Sequence, residues 1–300
     1  MNSDYIATVI NSTIRSATPV MFAALASGIC SQVGVFNIGI EGQMLVGCFA
    51  SIVVNYFTGS ILLALLAGIL SGALVGLLLA ILQVKYKAAD IVVGTSINIL
   101  MNALTSLLLF FFFGVKGVFS HPDLVPMRRI NIPFVKDIPF IGRALGNLTI
   151  LDYLSYLVAI LLFVFLYKTV SGFKVRSIGI NKEATESLGL KASRNQILLV
   201  AFSGALCGLG GSALAMGQVI LFTENMTSGR GFIGMAAAMM GQSHPLLIIL
   251  SSLIFGVAQS VGVAMQVKVP SQLTMAVPYI VTILVLALTG LKRKVDFKEG

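Results

Sequence analysis

The sequence predicts an all-α fold: a polytopic helical bundle integral to a membrane, with about nine crossings, one of them a short or half-embedded helix. Three observations carry that prediction. The 300 residues are 57% apolar and only 10% charged, with a mean hydropathy of +0.98, a balance foreign to soluble domains. Apolar windows of about 20 residues, the length that crosses a bilayer, recur along the chain. Short basic segments separate several of these windows and orient them.

The windows run over 6–30, 38–57, 60–83, 91–114, 150–168, 195–218, 245–266 and 272–290. The first has no basic segment ahead of it, and Asp4 precedes its apolar stretch, so it reads as a retained span and not as a cleavable signal. The third carries Gly68, Gly72 and Gly76, and the sixth carries Gly204, Gly208 and Ser212. Small residues at four-residue spacing let helix backbones approach closely in lipid, so both helices belong in a tightly packed bundle. A shorter piece rich in glycine and alanine lies at 231–242.

Lys85 and Lys87 form one basic segment. Lys168, Lys174, Arg176, Lys182, Lys191 and Arg194 form a second, and Lys292, Arg293, Lys294 and Lys298 a third. The excess of lysine and arginine on cytoplasmic loops places all three inside. The whole chain, 1–300, is then one transmembrane domain with a cytoplasmic segment at 172–194, an external loop at 115–149 and a cytoplasmic tail at 291–300. Parity requires 231–242 to return the chain inward, although a dozen residues are too few for an ordinary span. It is therefore expected to be a half-embedded helix buried against other protein. The same count leaves the N-terminus outside.

The formal charge of +9 does not indicate nucleic acid, because the cations sit in loops between spans and not on one face. Cys30, Cys48 and Cys207 lie inside apolar windows without metal-ligand spacing and read as buried, unpaired thiols. The two histidines, His121 and His244, are far apart. Gly229-Arg230-Gly231-Phe232-Ile233-Gly234 matches GxGxxG in form only, since that fingerprint needs a strand before it and a βαβ unit around it. No GxxxxGK[ST] occurs, so the chain is not itself an ATPase of that class.

Two stretches differ from lipid-facing helix. Residues 36–44, FNIGIEGQM, carry Glu41 into an apolar span, where an ionisable group faces protein interior or a water-filled cavity. A structural carboxylate satisfied by backbone in a glycine-broken helix explains it equally well. Residues 222–232, FTENMTSGRGF, combine hydroxyls, a carboxylate, an amide and an arginine ahead of the half-helix, with Thr227 or Ser228 as its possible N-cap. Asn98 and Asn102 stand one turn apart and could line a polar path or bond helices together. The path or gate candidates are Asn37, Glu41, Gln43, Asn98, Asn102, Phe222, Asn225 and Arg230.

The polar stretch 172–190, GFKVRSIGINKEATESLGL, reads as a short amphipathic helix in water. Asn181 suits an N-cap, Glu183 the positive helix end, and Gly189 the left-handed closing residue. Ile180, Ala184 and Leu188 make one narrow apolar face. Such a helix offers a docking surface to a soluble partner; the alternative is a charged loop with some helical character.

These motifs resemble the membrane subunits of ATP-binding-cassette (ABC) importers, in the family of branched-chain amino acid, ribose and nucleoside permeases. The resemblance runs from about 15 to 290, and it implies a type II importer-like permease. FNIGIEGQM at 36–44 and ENMTSGRGFIGMAA at 224–237 are similar to the nucleoside-type permeases that work with basic-membrane-protein lipoproteins. RSIGINKEATESLGL at 176–190 is similar to the family's ATPase-coupling segment, through Arg176, Gly179, Asn181, Ala184 and Gly189, with Glu183 beside them. The resemblance implies two permease subunits, identical or different, on two ATPase domains that hold ATP and Mg, together with an extracytoplasmic binding lipoprotein. No cofactor is expected in this chain and no nucleic acid as partner. It also implies a multi-pass protein of a bacterial cytoplasmic membrane that imports nucleosides. A sugar or a branched-chain amino acid is the alternative cargo, and an ion-coupled secondary transporter the alternative mechanism. The ribose-type pattern has a further N-terminal span that this chain lacks.

Overall fold

The computed structural model describes residues 3–130 and 146–265. Its helices are α1 (Ser3–Gln32), α2 (Ile40–Thr58), α3 (Ile61–Ala80), α4 (Asp90–Phe113), α5 (Ile150–Lys168), α6 (Val170–Ile180), α7 (Lys182–Ser187), α8 (Ala192–Ser212), α9 (Arg230–Met240) and α10 (Pro245–Met265). Seven of them, α1 to α5, α8 and α10, are long and apolar enough to cross a membrane. The half-helix expected at 231–242 is α9, whose 11 residues reach about 16 Å, roughly half the hydrocarbon thickness. The span expected at 272–290 and the tail at 291–300 lie outside the described residues, as does much of the external loop. Among the described residues the chain therefore makes seven candidate crossings and one short one.

The predicted small-residue stripes face each other. A methyl group at Gly72 would run into the backbone of Gly204 and Gly208, and one at Gly208 would meet the Gly68 carbonyl. Helices α3 and α8 thus pack backbone to backbone, which is the contact that glycine at every fourth position permits. Helix α2 joins them, with Gly47 against Gly208 and Gly211 against Met44 and Cys48. Helix α1 fills the centre, and Met21, Phe22, Leu25 and Ile29 are fully or almost fully buried.

Two helices end in π-helical turns, α3 at Ile81–Lys85 and α8 at Ala213–Val219. The second has a visible function in α1. Pro19 has no N–H, so the Arg15 carbonyl loses its intrahelical donor. The Gln218 side chain donates to that carbonyl at 2.6 Å. A proline inside a central helix is satisfied from a neighbour's widened last turn.

Outside the span ends, the chain is held by small pairings. Strand β1 (Val118–Phe119) runs antiparallel to β4 (Phe222–Thr223), and β2 (Arg129–Ile130) to β3 (Leu148–Thr149). Asn55, near the end of α2, donates to the Val125 carbonyl and accepts from its N–H, both at 2.9 Å. Asp152 takes the N–H and hydroxyl of Thr149 as a capping box on α5 and also accepts from Thr18 of α1 at 2.6 Å.

The stretch 172–190 holds two helices, α6 and α7, where one was expected; the expected N-cap, Asn181, starts the second, and its extended backbone (φ −150°, ψ 101°) separates it from the first. Thr169 caps the first by accepting from the Gly172 N–H at 3.1 Å. Asn181 caps the second by accepting from the Ala184 N–H at 3.0 Å. An N-cap residue takes extended backbone, so a good cap in the middle of a helical stretch divides it. The three cysteines are free and buried.

Candidate functional site: a cavity between two broken helices

The chain interrupts its helical path twice at the same place in space. Between α1 and α2 it turns through residues 33–39, and between α8 and α9 it passes through β4 and a turn-rich segment at 224–229. Asn225, Ser228 and Gly229 there all have positive φ (54°, 44° and 79°). The N-terminal ends of α2 and α9 meet across these breaks, and α4 closes the third side. They border an open cavity of about 470 Å³, lined by Glu41, Gly42 and Leu45 of α2, Asn98, Ile99 and Asn102 of α4, and Asn225, Ser228, Gly229 and Phe232.

Glu41 joins the two breaks. Its Oε1 accepts from the Gly229 N–H and its Oε2 from the Gly231 N–H, each at 2.7 Å. The carboxylate belongs to the first turn of α2 and caps α9 from outside, where the helix dipole also favours a negative charge. Gly231 is required for that approach, since a Cβ there would lie 2.8 Å from the Glu41 Cα. Neither Thr227 nor Ser228 caps α9: the N-cap is Gly229, with no side-chain bond of its own. Among the described residues the Thr227 hydroxyl is buried without a partner, and Ser228 Oγ donates to the Asn225 carbonyl at 3.1 Å. Glu41 supplies what a local hydroxyl was expected to supply.

Asn98 clamps the other break. Its Oδ1 accepts from the Gly42 N–H at 2.8 Å and its Nδ2 donates to the Ile38 carbonyl at 2.9 Å. Asn98 therefore both bonds helices and borders the cavity. Asn102, one turn further along α4, has no side-chain hydrogen-bond partner among the described residues, and neither has Asn225. Of the three amides on the cavity wall, Asn98 is committed to the scaffold, and only Asn102 and Asn225 can exchange bonds with a solute.

The remaining path candidates lie elsewhere. Asn37 and Gln43 are fully buried and bond each other, Asn37 Nδ2 to Gln43 Oε1 at 3.1 Å, with Ser203 Oγ a further acceptor at 3.3 Å. Phe222 is fully buried, edge-on to Phe49 with ring centroids 5.2 Å apart. Arg230 points back along its own chain, donating to the carbonyls of Met226 and Thr227 at 3.2 Å. None of these four lines the cavity. Phe232 does, with 42% of its surface exposed, and so does Ser228. Both lie in the stretch 222–232 that the sequence singles out, but which side chains of a turn face a cavity is set by its φ angles, which composition does not reveal.

The second set of candidates gathers on the basic side. Glu183, Ala184 and Gly189 are exposed, Gly189 closes the segment with φ 82°, and Ile180 and Leu188 are 87% and 82% exposed. The single apolar face expected of Ile180, Ala184 and Leu188 is divided by the break at Asn181, with Ile180 ending α6, Ala184 on α7 and Leu188 at its C-cap. All three are exposed among the described residues. Gly179 and Arg176 point the other way. A Cβ on Gly179 would sit 3.0 Å from the Gln32 carbonyl carbon and 3.2 Å from the Gly34 nitrogen, so α6 abuts the corner that leads from α1 to Glu41. The Arg176 guanidinium lies over the Tyr167 ring at 4.5 Å.

Residues 9–286 match the model of the branched-chain amino acid transport system / permease component family. The chain belongs to this permease family. The permease is 31% identical to the guanosine ABC transporter permease protein NupQ of Bacillus subtilis, across 96% of this chain and 93% of the relative. It is 33% identical to the nucleoside ABC transporter permease protein NupC of Lactococcus lactis subsp. cremoris, across 93% and 91%. A glucose-type relative, TsgC13 of Haloferax volcanii, is 27% identical across 94% and 92%. Among solved structures, a metal-chelate type ABC transporter in an inward-facing conformation superposes with a TM-score of 0.52 at 16% identity, covering 94% of the permease and 85% of that chain. That likeness bears on the fold alone. The chain is thus a multi-pass membrane permease subunit of the ABC type.

Proposed function

We propose that this permease carries nucleosides inward across a bacterial cytoplasmic membrane, driven by ATP on partner subunits, with the cavity between α2, α4 and α9 as its solute path. The observation that carries the reading is the chemistry of the cavity wall. It presents two uncommitted amides, Asn102 and Asn225, a hydroxyl at Ser228 and an aromatic ring at Phe232. Among the described residues, no lysine, arginine or histidine lines it, and the one carboxylate that does, Glu41, already accepts from two N–H groups at a positive helix end. Where the N-terminus of a broken helix is left open it attracts an anionic substrate; here a side chain occupies it. A neutral solute with hydrogen-bonding edges and a flat ring matches what remains, and a nucleoside has both. The similarity to guanosine and nucleoside permeases supports the same cargo.

Transport would proceed by alternating access, with ATP on the partner supplying the difference in free energy between the two states that a solute alone cannot supply. The exposed Ile180, Ala184 and Leu188 would receive the ATPase. Glu183, Asn181 and Gly189 shape that segment. A second permease subunit and an extracytoplasmic binding lipoprotein complete the reading. The glucose-type relative favours a sugar as second cargo, since the same amides would serve its hydroxyls. Competition decides between them. Uptake of labelled guanosine in cells expressing the full set of subunits should be blocked by unlabelled adenosine and unaffected by glucose. Block by glucose, with none by nucleosides, would transfer the assignment to sugars.

A further inference from the structure

One cluster beside α6 is used neither by the cavity nor by the exposed Ile180, Ala184 and Leu188. The Tyr167 ring, at the end of α5, is covered on one side by the Arg176 guanidinium of α6 at 4.5 Å and stands 4.7 Å from the His244 ring. Gln32 Nε2, at the end of α1, is 3.5 Å from the Tyr167 hydroxyl and donates to the Ser243 carbonyl at 3.1 Å. Ser243 and His244 belong to the turn that closes α9, a turn with two left-handed residues, Gln242 (φ 49°) and Ser243 (φ 56°). The Ser243 N–H returns to the Ala238 carbonyl at 2.8 Å, so the turn moves with the helix.

Among the described residues, Arg176 Nε and His244 Nδ1 are buried without a hydrogen-bond partner. Their recorded contacts are with aromatic rings: the Arg176 guanidinium lies over Tyr167, and His244 packs at a tilt against Tyr167 and Phe163. The far end of α9 carries Gly229 and Gly231, whose N–H groups rest on Glu41 at the cavity. One short rigid helix therefore runs from Tyr167 to the cavity wall.

We propose that Tyr167 is a positioning residue that joins α6 to α9, so that displacement of the ATPase-docking segment moves the helix end that carries Glu41's partners and Phe232. The inference rests on the permease reading and adds the element that transmits it. Two sites coupled through a packed network shift each other by a definite free energy, and removal of the joint abolishes the shift without abolishing either site.

The test uses the whole transporter with a reporter cysteine, Ser228→Cys, at the cavity; the three native cysteines are buried. Its rate of labelling by a maleimide is measured with and without vanadate-trapped nucleotide, a readout that needs no knowledge of the cargo. The reporter complex should change its labelling rate roughly five-fold or more on trapping, the lower range of ordinary coupling. Tyr167→Ala should remove that change while hydrolysis persists, and Tyr167→Phe should keep it. Where Tyr167→Ala fails to assemble, Arg176→Gln is expected to behave the same way. A nucleotide-dependent change that survives both substitutions overturns the joint, and so does a loss shared equally by Tyr167→Phe. No change in the reporter complex itself would count against the alternating-access reading instead.

Discussion

The carboxylate of Glu41 bridges the N–H groups of Gly229 and Gly231, tying the first turn of α2 to the first turn of α9 across 188 and 190 residues of sequence. One ionisable side chain thereby satisfies two N–H groups of a helix end that has no side-chain cap of its own. Replacing it with glutamine keeps one acceptor and points an amide donor at the other N–H. Glu41→Gln should lower stability by about 1–3 kcal/mol, the usual cost of an unmet buried group. Thermal unfolding of the purified complex would show the loss, and an unchanged melting point would remove Glu41 from this role.

The cavity amides separate by partner. Asn98 holds Gly42 and Ile38, so Asn98→Ala should destabilise the protein and reduce the amount recovered from membranes. The side chains of Asn102 and Asn225 hold nothing in the described structure, so their alanine variants should keep the fold, Asn225→Ala at the modest cost of an alanine at φ 54°. Each should raise the KM for uptake by roughly five-fold, equivalent to about 1 kcal/mol per lost hydrogen bond. Saturation curves on equal amounts of protein distinguish the two classes.

Gln218 and Pro19 offer a paired test. Gln218→Ala leaves the Arg15 carbonyl without a donor and should cost about 1 kcal/mol or more. Pro19→Ala restores an N–H four residues after that carbonyl. The double variant should therefore be more stable than Gln218→Ala alone. Strict additivity of the two changes would argue that the side chain is not there for the proline.

On α7, Ala184 is exposed. Ala184→Arg should leave insertion and folding intact, because the side chain is exposed among the described residues. It should separate ATP hydrolysis from uptake in the assembled transporter. Uptake at the original rate would mean that the ATPase docks elsewhere.

Much of this fold was legible because lipid enforces simple rules. Span length located α1 to α5, α8 and α10, glycine spacing marked α3 and α8 for close packing, and the short glycine- and alanine-rich piece at 231–242 marked α9. What could not be read was pairing. The sequence shows that Gly72 and Gly204 each lie on a small-residue stripe, but not that one stripe faces the other. Glu41 was visible as an anomalous charge, with interior and path readings equally open, because its partners are backbone N–H groups far away in sequence. Asn37 and Gln43 carry the same amide as Asn102 and differ only in having each other. Phe222 and Phe232 bracket one turn-rich stretch, and only its backbone angles decide that the second borders the cavity while the first joins the core.

The most direct test of the central claim is guanosine uptake by proteoliposomes holding this permease with its partner subunits. The account predicts accumulation that requires ATP, is competed by unlabelled nucleosides, and falls sharply when Asn102 and Asn225 are both replaced by alanine. Accumulation by the permease alone without ATP, or no nucleoside uptake by a complex that hydrolyses ATP, would contradict it.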